Sequence, residues 1–223
     1  MELDLLTKEI SIKIYKKNIS KYLIKFFIIL SIFSFIYLLN KYFFHKYLLK
    51  SYPSNNYRIV FVFGTRPEAV KLIPLIKELK VNHNFSCFII NTGQHKEMTH
   101  QILESFNMEN SIDFNLNIMK KNQSLAKLTS LAISKLEKIY TLINPQAVIV
   151  QGDTTTGFAA ALSAFFKKIP VFHVEAGLRT NNLYFPFPEE FNRISIDDIS
   201  TLYFSPTNWA ASNLLKENKN SNC

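Results

Sequence analysis

From Ile59 onward, short apolar runs take turns with longer stretches whose apolar positions fall at helical spacing. Ile59–Phe63 is a β-branched and aromatic run closed by Gly64, the pattern of a strand buried on both faces. Glu68–Lys80 carries Ala69, Leu72, Ile73 and Ile76 along one helical side, with Pro74 the one residue ill suited to a helix interior. Phe85–Ile90 predicts a second strand, Glu97–Phe106 a second helix, and Phe114–Ile118 a short third strand. Ser124–Ile143 is a long helical run with Leu125, Leu128, Leu131, Ala132, Leu136 and Ile139 on one side, stopped before Pro145. The remaining elements are Ala147–Val150 (strand), Gly157–Phe166 (helix), Val171–Val174 (strand), Glu189–Ser200 (helix), Leu202–Phe204 (strand) and Asn208–Lys216 (helix). There is no internal repeat. Strands alternating with helices predict an α/β fold, a mostly parallel sheet covered on both faces. Ligands bind such sheets beyond the carboxyl ends of the strands, so functional residues should stand directly after predicted strands.

The first 56 residues follow a different pattern. Phe26–Asn40 carries no charge, and with Tyr22–Lys25 the run reaches membrane-spanning length. Tyr22, Tyr37, Tyr42 and Tyr47 lie in or near its ends, where amphipathic rings suit an interface. More than 20 residues precede the run, and Lys-Tyr-Phe-Phe-His follows where a signal peptidase needs small residues. The expectation is therefore a retained single-pass anchor at about residues 22–42, a short linker at 50–56 and a globular domain at 57–223. Lysines flank the run on both sides, so orientation is not set by charge, and a cytosolic placement of the domain is an expectation only.

Charge changes the picture once it is mapped. The net charge is +9, but residues 1–56 hold nine lysines against three acids, leaving the rest of the chain nearly balanced. A nucleic-acid face is not supported. Cys87 and Cys223 form no disulfide framework and no four-cysteine zinc site. The histidines show no H-x-x-x-H or H-E-x-x-H spacing, so no metal site is expected.

Three polar clusters stand directly after predicted strands. In FGTRPEAVK, Thr65 suits a helix cap and Pro67 a first turn, while Arg66 and Lys71 set two cations beside a helix N-terminus, where phosphate oxygens are well received. Arg66 could equally be an ordinary surface charge. In QGDTTTGFAAA, Asp153 stands at a strand end, either as a helix cap or as an acid or base at the crevice. In HVEAGLRTNNLYFPFPEEFNR, Glu175 ends a strand, Arg179 follows a glycine turn, and a proline-rich loop delivers Glu189 and Glu190 to a helix start. Those glutamates suit a helix dipole, yet carboxylates converging from two strand ends and a loop would also suit proton transfer. His95, after the second strand, is either a polar wall or a surface residue. No dinucleotide fingerprint, P-loop or nucleophile elbow is present.

FGTRPEAVKLIPLI, TGQHKEM, DFNLNIM, VIVQGDTTTGFAAALSAF, IPVFHVEAGLRT, PFPEEFNR and YFSPT occur in this order from about Arg58 to Asn218. Together they resemble the N-terminal half of the non-hydrolysing UDP-N-acetylglucosamine 2-epimerases. The resemblance implies a Rossmann-like domain, one half of a GT-B-type two-domain enzyme with the nucleotide sugar in the cleft. It implies epimerisation at C2 of UDP-N-acetylglucosamine, by UDP elimination and re-addition, with no cofactor. Position by position it implies Asp153, Glu175 and Glu189 as catalytic carboxylates and Arg66 and Lys71 as substrate-contacting cations. Gln94 and Glu97 fall where bacterial members bind a second substrate molecule, and Arg179 joins the substrate-binding set. The family's second domain would follow Cys223, so the chain is expected to be inactive alone. Its expected partners are a second-domain chain or a second copy in a homodimer, and the membrane. The alternative is a non-catalytic, membrane-tethered module that binds sugar nucleotide or another protein.

Overall fold

A computed structural model describes residues 56–94 and 96–219. The predicted membrane helix at about 22–42 lies outside the described residues, as does His95. Among the described residues no helix is long and apolar enough to cross a membrane. The strands are Tyr57–Phe63 (β1), Phe85–Asn91 (β2), Phe114–Asn115 (β3), Ala147–Gln151 (β4), Val171–Val174 (β5) and Leu202–Phe204 (β6). The helices are Arg66–Val81 (α1), Lys96–Ser105 (α2), Leu125–Ile143 (α3), Thr155–Phe166 (α4), Glu189–Ile199 (α5) and Asn208–Lys216 (α6).

The strands form one sheet in the order β3-β2-β1-β4-β5-β6, and every neighbouring pair is parallel. β1 lies at the centre, in register with β2 from Tyr57 opposite Phe85 to Phe63 opposite Asn91. On its other side Ile59 stands opposite Ala147 and Phe61 opposite Ile149. Side chains alternate across a strand, so Ile59, Phe61 and Phe63 share one face. There they pack with Ala69, Leu72, Ile73 and Ile76 of α1 and Leu103 of α2. Val60 and Val62 are equally buried on the opposite face. Here α3, α4 and α5 lie side by side, and Tyr140 Oη donates to the Ala160 carbonyl at 3.3 Å. Alanines at 159, 160, 161 and 164 are fully buried, and their small side chains let α4 approach its neighbours closely.

Local chemistry sets the element ends. Ser124, Thr154 and Thr207 each accept a backbone N–H three residues on, which caps α3, α4 and α6. Asn144 turns left-handed (φ 50°) and ends α3. α1 runs unbroken through Pro74, whose ring stands on the exposed side. β3 is shorter than the apolar run Phe114–Ile118 predicts, because Asn117 takes a positive φ of 47° and breaks the extended backbone. Gly64 closes β1 where no side chain fits: a Cβ there would lie 1.8 Å from Thr92 Oγ1.

Candidate active site

Strand order reverses direction between β1 and β4, so the turns that leave their carboxyl ends diverge and open a crevice. Gly64, Thr65 and Arg66 leave β1 on one side; Gly152, Asp153 and Thr154 leave β4 on the other. Glu175 follows β5 on the same rim, in a left-handed conformation (φ 71°) that is uncommon for a residue with a side chain.

The expected groups meet there in two clusters. Lys71, one turn into α1, donates to Glu175 at 2.7 Å (Oε1) and 2.5 Å (Oε2), and Gln151 Nε2 donates to Glu175 Oε2. Arg193 of α5 pairs with Asp153, and Asn192 Nδ2 donates to the Asp153 carbonyl at 2.8 Å. The Asp153 and Glu175 side chains keep 26% and 25% exposure, so both carboxylates face water while each holds a cation. Glu189 opens α5, half-buried, four residues before Arg193 and therefore on the same helix face. Glu190 does different work. It is fully buried, accepts the Thr180 and Asn181 N–H groups at 2.8 and 3.1 Å, and so pins the loop that delivers α5. Arg66 is the exposed first residue of α1. Gln94 accepts a hydrogen bond from Thr156 Oγ1 at 3.0 Å, and Glu97 stands in the first turn of α2.

Glu68 is a residue that the pattern of strand ends does not reveal. Its carboxylate is 1% exposed and takes Gly64 N–H (2.9 Å), Thr65 N–H (2.8 Å), Thr65 Oγ1 (2.8 Å) and Thr154 Oγ1 (2.7 Å). It thereby ties the β1 turn to the β4 turn across the floor of the crevice. Burial pushes the Glu68 carboxyl above the ordinary range, and its donors pull it only part of the way back. The readable signal is the spacing T-x-x-E, a capping box.

Arg179 does not join the crevice groups. Its side chain is 4% exposed, forked onto Glu217 at 2.7 Å through both Nε and Nη2, and bonded to Asp197 at 2.7 Å. Burial alone would lower its pKa, but Glu217 and Asp197 outweigh it and the net direction is upward. Burial likewise opposes ionisation of Asp197, yet His173 and then Arg179 hold it below the ordinary carboxylate range. Glu217 is pulled down to about 2, chiefly by its bond from Arg179. Lys219 adds contacts to Glu217 (2.5 Å) and Asp198 (2.9 Å). This network lies behind the rim and staples the end of α6 to the turn after β5.

Chemically, the rim offers two solvent-facing carboxylates able to exchange protons and a set of cations suited to phosphate oxygens. Among the described residues, no three His, Cys, Asp or Glu side chains converge as metal ligands.

Comparison with known proteins adds to this geometry. Residues 77–222 match the family model of UDP-N-acetylglucosamine 2-epimerase. The chain is 50% identical over 162 residues to the UDP-N-acetylglucosamine 2-epimerase of Bacillus subtilis (strain 168), covering 73% of this chain and 42% of that protein. Among solved structures, it is similar to UDP-GlcNAc 2-epimerase from Neisseria meningitidis bound to UDP-GlcNAc, with TM-score 0.69 and 48% identity over 72% of this chain and 43% of that one. It is also similar to the Methanocaldococcus jannaschii UDP-GlcNAc 2-epimerase in complex with UDP-GlcNAc and UDP, with TM-score 0.67 and 39% identity over the same 72% and 43%. A likeness to Acinetobacter baumannii MurG, at 12% identity and TM-score 0.52, concerns the fold alone. The chain spans about 42% of the length of the curated relatives it matches.

Proposed function

This chain belongs to the UDP-N-acetylglucosamine 2-epimerase family, and from that premise we propose that residues 57–219 form one wall of a cleft that epimerises UDP-N-acetylglucosamine at C2. In this reading Asp153, Glu175 and Glu189 carry the acid–base chemistry. Arg66 and Lys71 take the diphosphate, and Gln94 and Glu97 border a second nucleotide-sugar position. Arg179 holds the turn after β5 from behind. A carboxylate oxygen removes the C2 proton while the C1–O bond to UDP breaks, leaving a 2-acetamidoglucal. UDP then re-adds through oxygen at C1, and a proton returns to C2 from the opposite face. Attack on two faces needs two acid–base groups, and the rim carries them on separate strands. Lys71, already bonded to Glu175, can shift toward phosphate as the departing UDP gains charge.

The observation that carries the reading is the pairing of Lys71 with Glu175 beside Asp153 with Arg193 at the switch point of the sheet. The opposing wall would come from a further domain or a second copy, and the N-terminal anchor rests on the apolar run at 22–42.

The test follows deuterium incorporation at C2 of UDP-N-acetylglucosamine in heavy water. The chain alone should give no conversion, and adding the second domain of a relative as a separate polypeptide should restore some. In that mixture Asp153→Asn, Glu175→Gln and Glu189→Gln should each lower turnover by about a hundred- to ten-thousand-fold. Unaltered rates in all three variants would refute the assignment.

A further inference from the structure

We propose that His173 is a positioning residue, held in the folded protein as a doubly protonated imidazolium, and that its Nε2–H fixes the Gly152–Asp153 peptide from beneath the crevice. The ring stands in β5 with 0% exposure. Its Nε2 lies 2.7 Å from the Gly152 carbonyl oxygen and its Nδ1 lies 2.6 Å from Asp197 Oδ1. A carbonyl oxygen has no hydrogen to give, so Nε2 carries one. An ionised Asp197 is also an acceptor only. Its Oδ2 receives the Gly177 N–H at 3.2 Å and the Arg179 guanidinium at 2.7 Å, an arrangement that suits an ionised carboxylate. Nδ1 therefore carries a hydrogen too. With Asp197 ionised, a neutral ring would set a nitrogen lone pair against an oxygen lone pair in a site closed to water.

The surrounding charges permit this. The ring and Arg179 are balanced by Asp197 and Glu217, and Lys219 is balanced by Asp198, so the imidazolium is a paired buried charge rather than an isolated one.

The consequence reaches the crevice through one peptide. A trans peptide points its C=O and N–H in opposite directions, and the cis bonds among the described residues are Phe185–Pro186 and Phe187–Pro188. Anchoring the Gly152 oxygen on the ring thus directs the Asp153 N–H away from it. Gly152 N–H is itself tied to the Val174 carbonyl at 2.9 Å, so the residue before Asp153 is fixed at both ends. A cation bonded to the carbonyl also draws electron density along the peptide and strengthens the Asp153 N–H as a donor. The functional part of this inference rests on the role proposed for Asp153; the protonation state does not.

The experiment is NMR at pH 7 on the full 223-residue chain with 15N-labelled histidine and a labelled backbone, His173 being assigned through its backbone among the five histidines. Both ring nitrogens should resonate at protonated positions, with two ring hydrogens slow to exchange and a coupling across the hydrogen bond from Nε2 to the Gly152 carbonyl carbon. One bare ring nitrogen, or no such coupling, overturns the proposal. In Asp197→Asn one ring hydrogen should be lost while the Gly152 coupling persists, and the Asp153 amide proton should move upfield as its peptide loses the cation. Two retained ring hydrogens, or an unmoved Asp153 amide, overturn the proposal in turn. If that variant does not fold, the spectrum of the unaltered chain decides. None of these signals needs turnover, so their failure and the failure of the carboxylate assignment are separately visible.

Discussion

Thr154 serves two partners with one hydroxyl. Its oxygen accepts the Gly157 N–H at 2.9 Å, capping α4, and its hydrogen goes to the buried Glu68 at 2.7 Å. Loss of a threonine cap alone costs about 1 kcal/mol. Leaving a buried carboxylate short of a donor costs a further 1–3 kcal/mol or so. Thr154→Ala should therefore destabilise the fold by about 2–4 kcal/mol in urea unfolding. Thr207→Ala, which removes the plain cap of α6, should cost about 1 kcal/mol. Equal losses in the two variants would mean that the Glu68 bond contributes nothing. The same bond, between residues 86 apart in sequence, ties the β1 and β4 turns together at the crevice.

At the scale of elements, α6 is held against the turn after β5 by close backbone approach. Gly177 takes φ 85°, and a Cβ there would stand 2.3 Å from the Ala210 carbonyl oxygen, while Asn213 Nδ2 donates to Gly177 O at 3.0 Å. Gly177→Ala adds left-handed strain to overpacking against backbone, roughly 2–6 kcal/mol together. Loss of the cooperative urea transition, or a midpoint far below that of the unaltered chain, is the expected result. The order of elements was legible because short continuous apolar runs and longer stretches with apolar spacing near 3.6 take turns along this chain; even the helix through Pro74 follows from Leu72, Ile73 and Ile76 sharing a buried side. The early end of β3 was not, since a left-handed asparagine inside an apolar run leaves no periodic mark. The candidate site was legible at strand ends, where Asp153 and Glu175 stand, and in the first helix, where Lys71 lies one turn in. It was illegible where a side chain acts through a distant partner: Arg193 on Asp153, Gln151 on Glu175, and His173 on Asp197 are pairings that only the fold creates.

For the molecule as a whole, the network through Asp197, Arg179 and Glu217 makes stability depend on acid. Glu217 is held down to about 2 in the folded protein, below its ordinary 4.5, and Asp197 is also lowered. A lowered carboxylate contributes stability that is fully present above its unfolded pKa and lost as pH falls through the folded one. The urea midpoint should therefore decline between about pH 4.5 and 2, and the gap between the unaltered chain and Glu217→Gln should close over the same interval. A gap that stays constant with pH would show that the ion pair does not act in this way. The sheet edges carry a different consequence. Among the described residues the outermost strands, β3 and β6, are only two and three residues long. An edge that short gives an incoming strand almost no ladder to extend, which is one way proteins guard a sheet against templated aggregation. The seven-residue, largely apolar strand β1 is enclosed between β2 and β4. Any partner that meets this layer must therefore be recognised through side chains on its rim and helices, and not by adding a strand to it.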